Sequence, residues 1–143
     1  MRVFGDTNLW VYRLDRRDPD KATRVGAWLR ELAREHEIVV STQVLIEVRS
    51  VLSHKFKPPI PHADIRLALD ALTAFGVVGA DPGLILDAHE LAAAEQLSWF
   101  DALIIEAAMR SKCSVLYSED LGDGRSFGPL TVRNPVAGAP VQR

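Results

Sequence analysis

Apolar runs too short for anything but strands, each handing over to a stretch of helical spacing, constrain this chain most. Val3-Phe4, Ile38-Val39-Val40, Val77-Val78, Val115-Leu116-Tyr117 and Leu130-Thr131-Val132 are the runs. Between them apolar residues recur every three or four positions. Examples are Val25, Trp28, Leu29 and Leu32, then Val44, Leu45, Val48, Val51 and Leu52. Ile65, Leu69, Leu72 and Phe75 follow, then Leu84, Ala88, Leu91 and Ala92, and finally Leu103, Ile104, Ala107 and Ala108. Leu9, Trp10 and Leu14 predict a brief helix directly after the first strand. Strands that are apolar on both faces need cover on both faces, and the intervening amphipathic helices supply it. The expected fold class is α/β with a short, mostly parallel sheet.

Local punctuation agrees with that reading. Asp18-Pro19 and Asp81-Pro82 each place a helix-capping acid before a proline suited to the first helical turn. Ser41-Thr42 and Ser98 are further candidate caps, and Lys57-Pro58-Pro59-Ile60-Pro61 must interrupt a helix. No repeat or linker divides the 143 residues, so one domain over residues 1–135 and a tail at 136–143 are expected. A chain 48% hydrophobic and 25% charged is neither disordered nor fibrous in composition. Its net charge of −2 means that any polyanion must be gripped by local cations, not by the overall field. A single cysteine, Cys113, rules out an internal disulfide framework and suits a reducing compartment. No run approaches the length of a membrane span, and Asp6 comes too early for a signal peptide, so a cytoplasmic protein is expected.

Four acids stand out by their places at strand ends or within apolar helical stretches. Asp6 directly follows the first strand, and Asp120 closes the segment Val115-Leu116-Tyr117-Ser118-Glu119-Asp120. Glu47 lies at the edge of an apolar helical face, and Asp101 sits within Ser98-Trp99-Phe100-Asp101-Ala102-Leu103. Each has a structural explanation of its own. Asp6 or Thr7 can cap a helix, Ser98 and Asp101 have capping-box spacing, and Asp120 can form a turn with Gly122. Glu47 would need a partner such as Arg49 or Arg13. Ligands in open parallel sheets bind beyond the carboxyl ends of the strands, where Asp6 and Asp120 belong. Converging carboxylates repel unless a cation neutralises them, and an all-oxygen set favours Mg²⁺ or Mn²⁺ over zinc.

The segments GDTNLWVY, STQVLIEVRSVL, LSWFDALIIEAA and VLYSEDLGDG, in this order, resemble those of a PIN-domain ribonuclease, most closely a bacterial VapC-type toxin. The resemblance runs over roughly residues 1–135, including the closing Val132-Arg133-Asn134-Pro135. It implies a three-layer α/β/α sandwich and a Mg²⁺- or Mn²⁺-dependent endoribonuclease that leaves 5′-phosphate and 3′-hydroxyl ends. It also implies a homodimer restrained by a cognate antitoxin. By this likeness Asp6, Glu47, Asp101 and Asp120 are the catalytic, metal-binding acids. Thr7, Asn8 and Ser118 are their supporting polar residues, with Glu119 an alternative to Asp120.

Acids repel RNA, so nearby cations must position its backbone. Arg13, Arg16 and Arg17, close after Asp6, are candidates for that task, with a solvated helix start as the plain alternative. Trp10, Trp28 and Trp99 are candidate base-stacking groups, with burial the stronger reading for Trp28. Residues 43–56 and 63–75 are candidate dimer helices. Two other function classes share this pattern: a phosphoryl-transfer enzyme with a nucleophilic Asp at a strand end, and a silent binding module. Asn8 stands where the dehalogenase type of the former needs a second Asp.

Overall fold

The computed structural model describes residues 1–135, so the expected tail at 136–143 lies outside the described residues. The chain alternates β1 (Arg2–Gly5), α1 (Thr7–Tyr12), α2 (Pro19–Glu35), β2 (Glu37–Ser41), α3 (Thr42–His54) and α4 (His62–Thr73). It continues with β3 (Gly76–Val78), α5 (Pro82–Glu95), α6 (Trp99–Arg110), β4 (Val115–Tyr117), β5 (Ser126–Phe127) and β6 (Leu130–Arg133). The strands form one sheet in the order β3-β2-β1-β4-β6-β5, parallel except for the β5–β6 pair. With its helices it makes a three-layer α/β/α sandwich.

The local signals act as their chemistry dictates. Asp18 and Asp81 accept hydrogen bonds from the N–H groups of Lys21 and Leu84, so both Asp-Pro pairs start helices. Ser41 and Ser98 cap α3 and α6 through Val44 and Asp101. Val3, Phe4, Val39, Val40, Leu116 and Val132 are fully buried in the sheet, and Val44, Val48, Leu52 and Ile105 meet them from the helices. Two details differ from the sequence reading. Leu14 lies beyond α1 in a turn, where its N–H donates to the Val11 carbonyl. The glycine-rich segment after β4 contains β5, a two-residue strand reversed onto β6 through Gly128, whose φ of 57° suits a residue without a side chain.

The site-bearing feature is the sheet order. From β1 the chain moves to β2 on one side, while β4 docks on the other. The carboxyl ends of β1 and β4 thus form the switch point at which open sheets present a crevice.

Candidate active site

The ends of β1 and β4 are drawn together first by backbone pairing. The Asp6 N–H donates to the Tyr117 carbonyl at 3.1 Å, one residue beyond β1. Asp6 and Ser118 therefore emerge side by side. A glycine is needed just before: a Cβ on Gly5 would lie 2.9 Å from Cζ2 of Trp10. Trp10 Nε1 donates to the Gly5 carbonyl at 3.2 Å, which fastens α1 beneath the strand end.

Hydrogen bonds then fix the carboxylates. Oδ1 of Asp6 accepts from the Thr7 N–H at 2.7 Å, and Oδ2 accepts from the Ser118 hydroxyl at 2.9 Å. The same Ser118 oxygen accepts from the Asp120 N–H at 3.3 Å, so one buried hydroxyl orders both strand ends. Thr7, also buried, donates its hydroxyl to Glu47 at 2.6 Å. Gln43, one turn earlier on α3, donates to the other Glu47 oxygen at 3.3 Å. Asn8 donates to Asp120 at 3.1 Å. The four acids, with Thr7 and Asn8, line one cleft of about 290 Å³, together with Gln43, Ser50, Lys55 and Phe100.

A family model for the PIN domain matches residues 3–122 of this chain. The chain belongs to the PIN domain family.

Solved structures agree in fold. The VapBC2 complex of Rickettsia felis, bound to a DNA fragment from its promoter, contains a chain 23% identical, with a TM-score of 0.68. That match covers 94% of this PIN domain protein and 98% of the other chain. VapC20 of Mycobacterium tuberculosis, described as a toxin that cleaves the sarcin–ricin loop, is 18% identical with a TM-score of 0.63. There the match covers 83% and 90% of the two chains. A toxin–antitoxin complex from Klebsiella pneumoniae gives 15% identity and a TM-score of 0.64 over 90% and 95%. Among curated proteins no match is found.

In this PIN domain the sequence-predicted residues divide into those the fold gathers and those it does not. Asp6, Glu47, Asp101 and Asp120 face the cleft from four elements or their ends. Ser118 lies buried beside it, while Glu119 is outside the lining and half-buried. Burial, and then the neighbouring Asp120, push the Glu119 pKa upward. The partner of Glu47 is the Thr7 hydroxyl with Gln43, in place of the expected arginines.

The arginines are also elsewhere. Arg17 holds Asp15 through two side-chain bonds of 2.8 Å and lies over the Phe56 ring. Arg13 and Arg16 line a separate, mostly apolar groove of about 620 Å³ beside Trp10, Leu14, Leu72 and Phe75. Trp10 and Trp28 are buried and serve the core, Trp28 standing edge-on to Tyr117. The cation that does line the carboxylate cleft is Lys55, which sequence reasoning passed over. Gln43, Glu47 and Lys55 are spaced by four and eight residues, and that period was the available signal.

Electrostatics bear on which ion this donor set suits. The Asp6 pKa is pushed up to about 6, chiefly by burial, with the charges of Glu47 and Asp101 adding to the rise. The Thr7 N–H and the Ser118 hydroxyl oppose that shift without cancelling it. A hard divalent cation would relieve the same repulsion, and the four carboxylates offer only oxygen, so the chemistry fits Mg²⁺ or Mn²⁺. As they stand, the Asp6, Glu47 and Asp120 carboxylates accept hydrogen bonds from protein donors. No group of three or more His, Cys, Asp or Glu is gathered closely enough to hold an ion among the described residues. Binding would therefore need these side chains, already on the cleft, to draw closer together.

Proposed function

We propose that this PIN domain protein is a Mg²⁺- or Mn²⁺-dependent endoribonuclease acting as the toxin of a toxin–antitoxin pair. One observation carries the reading: four acids from separate segments line a single cleft at the switch point of the sheet. Asp6, Asp101 and Asp120, with Glu47, are the residues that would hold the ion. When bound, the ion supplies Lewis acidity toward a phosphate oxygen and lowers the pKa of water.

The protein's own groups do the rest. Thr7 and Ser118 orient the Glu47 and Asp6 carboxylates through buried hydroxyls. Lys55 supplies the positive charge that an RNA phosphate needs in an otherwise acidic cleft. Among the described residues the Asp101 carboxylate has no hydrogen-bond partner, although its N–H is capped by Ser98. That carboxylate is the one of the four with no protein hydrogen bond to give up on taking the ion. The products are 5′-phosphate and 3′-hydroxyl ends.

The toxin reading also needs a restraining partner. The groove lined by Trp10, Leu14, Leu67, Leu72 and Phe75 is apolar, with Arg13 and Arg16 among its lining residues. It suits the apolar face of an amphipathic antitoxin segment, with a basic side chain of the same partner near the carboxylates of the cleft. One structural neighbour is described as a toxin–antitoxin complex and another as VapBC2 bound to promoter DNA, which supports an antitoxin partner. Ile46 on α3 and Leu67 on α4 remain largely exposed, which supports the dimer helices read from the sequence. Residues 1–135 act as one catalytic unit in this reading, in the cytoplasm. Among the described residues no helix is long and apolar enough to cross a membrane.

The test is cleavage of a labelled RNA by the purified protein, active with Mn²⁺ and abolished by EDTA. Expression alone should arrest growth, and co-expression of a neighbouring small antitoxin gene should restore it. Intact RNA at every metal concentration would end the enzymatic reading, and harmless expression would end the toxin reading.

A further inference from the structure

We propose that Phe100 is a substrate-positioning residue at the carboxylate cleft, whose ring stacks on the base beside the scissile phosphate. This rests on the ribonuclease reading above and names a positioning residue for that site. The observation is an apolar ring in a costly place. Phe100 lines the cleft yet is 61% exposed. The core-facing side of α6 is supplied by Ala102, Ile105 and Ala108, so burial does not explain an aromatic residue at this position.

The backbone of Phe100 is tied to the acids. Its carbonyl accepts from Gln43 Nε2 at 3.2 Å, and the same amide nitrogen donates to Glu47 at 3.3 Å. Phe100 also directly precedes Asp101 in the first turn of α6. The residue is thereby fixed relative to two of the four carboxylates, one on each helix. Among the described residues its ring makes neither an aromatic pair nor a cation contact, unlike Tyr12, Phe56, Phe75, Tyr117 and Phe127.

A free aromatic face beside a phosphate site suits a nucleobase, because every base offers a π-face whatever its sequence. Lys55, also on the cleft, is placed to hold a phosphate while the ring holds the adjoining base. A base within a duplex is already stacked on its neighbours, so only an unpaired one can use the platform.

The experiment compares Phe100→Ala, Phe100→Leu, Phe100→Tyr and Phe100→Trp with the unaltered full-length protein. Cleavage kinetics with Mn²⁺ on a labelled single-stranded RNA are paired with anisotropy binding in an Asp120→Asn background. The Ala and Leu variants should raise KM and weaken binding by about 5- to 150-fold with kcat nearly unchanged, while Tyr and Trp restore both. An abasic nucleotide at the stacked position should cost the unaltered protein the same factor and cost Phe100→Ala nothing more. Unchanged KM and affinity in Phe100→Ala would overturn the inference while leaving the ribonuclease reading intact. So would full rescue by Leu, which would mark simple apolar packing. Loss of a dimer by light scattering with RNA affinity unaltered would assign the ring to an interface between copies and overturn the proposal. If the unaltered protein neither cuts nor binds RNA, the ribonuclease reading fails and takes this inference with it.

Discussion

The Ser118 hydroxyl donates to Oδ2 of Asp6 at 2.9 Å across 112 residues of sequence. The bond joins the ends of two parallel neighbours, β1 and β4, and it sets one Asp6 oxygen while the Thr7 N–H sets the other. Asp6 thus caps α1 and faces the cleft at once. The two roles that compete in the sequence coexist in the fold.

That coexistence separates two substitutions at one position. Asp6→Asn keeps an oxygen for the Thr7 N–H and removes the charge. With its pKa raised from 3.8 to about 6, Asp6 binds a proton more tightly in the folded protein than in the unfolded chain. The stability this gives is complete below about pH 3.8 and is lost as pH rises through about 6. In EDTA the unaltered protein should therefore weaken across that window, and Asp6→Asn should not. At pH 7 the variant should be more stable by on the order of 1–3 kcal/mol. Parallel pH profiles in thermal melts of the two proteins would refute the assignment.

Ser98 and Asp101 allow the cap and the chemistry to be pulled apart. Ser98 accepts from the Asp101 N–H at 3.2 Å, so Ser98→Ala should cost about 0.5–2 kcal/mol and leave cleavage largely intact. Asp101→Asn keeps the N–H and should leave stability nearly unchanged while cleavage falls by orders of magnitude. Urea unfolding and RNA cleavage, measured on both variants, decide the matter.

Thr7→Val tests the hydroxyl that aims Glu47. Its 2.6 Å bond to a carboxylate is short and charge-assisted, and its loss should cost about 1.5–3 kcal/mol. Thr7→Ser should restore most of the stability and the cleavage. A Val variant as stable and active as the parent would show that Glu47 needs no such support.

Gly5→Ala probes how tightly the strand end is built. The added methyl would meet the buried Trp10 ring at 2.9 Å, so the ring or the strand end must shift. A loss of about 1–3 kcal/mol is expected, measurable by urea unfolding.

How much of this was legible in the sequence depends on the range of the interactions. The Asp-Pro helix starts at Asp18 and Asp81 are satisfied within three residues, so the sequence alone displays them. The order of short apolar strands was legible for the same reason, while β5 was not, because Ser126–Phe127 is a strand only by pairing with β6. Asp6 and Asp120 were readable from their positions after strands. The arginines misled because nearness to Asp6 along the chain is not nearness to the cleft, and they line another groove or pair with Asp15. Lys55 shares a helical period with Glu47 and could have been read from it, whereas Phe100 reaches the cleft at the start of α6, a placement fixed by tertiary packing.

The central claim is that the four carboxylates act together on a divalent cation, and Mn²⁺ binding measured by electron paramagnetic resonance tests it most directly. The unaltered protein should take up Mn²⁺ with a gain in thermal stability. Folded Asp101→Asn should bind it at least about tenfold more weakly, as expected for a lost charged ligand worth about 1.4 kcal/mol or more. Undiminished Mn²⁺ affinity in that variant, or no binding by the parent, would contradict the account.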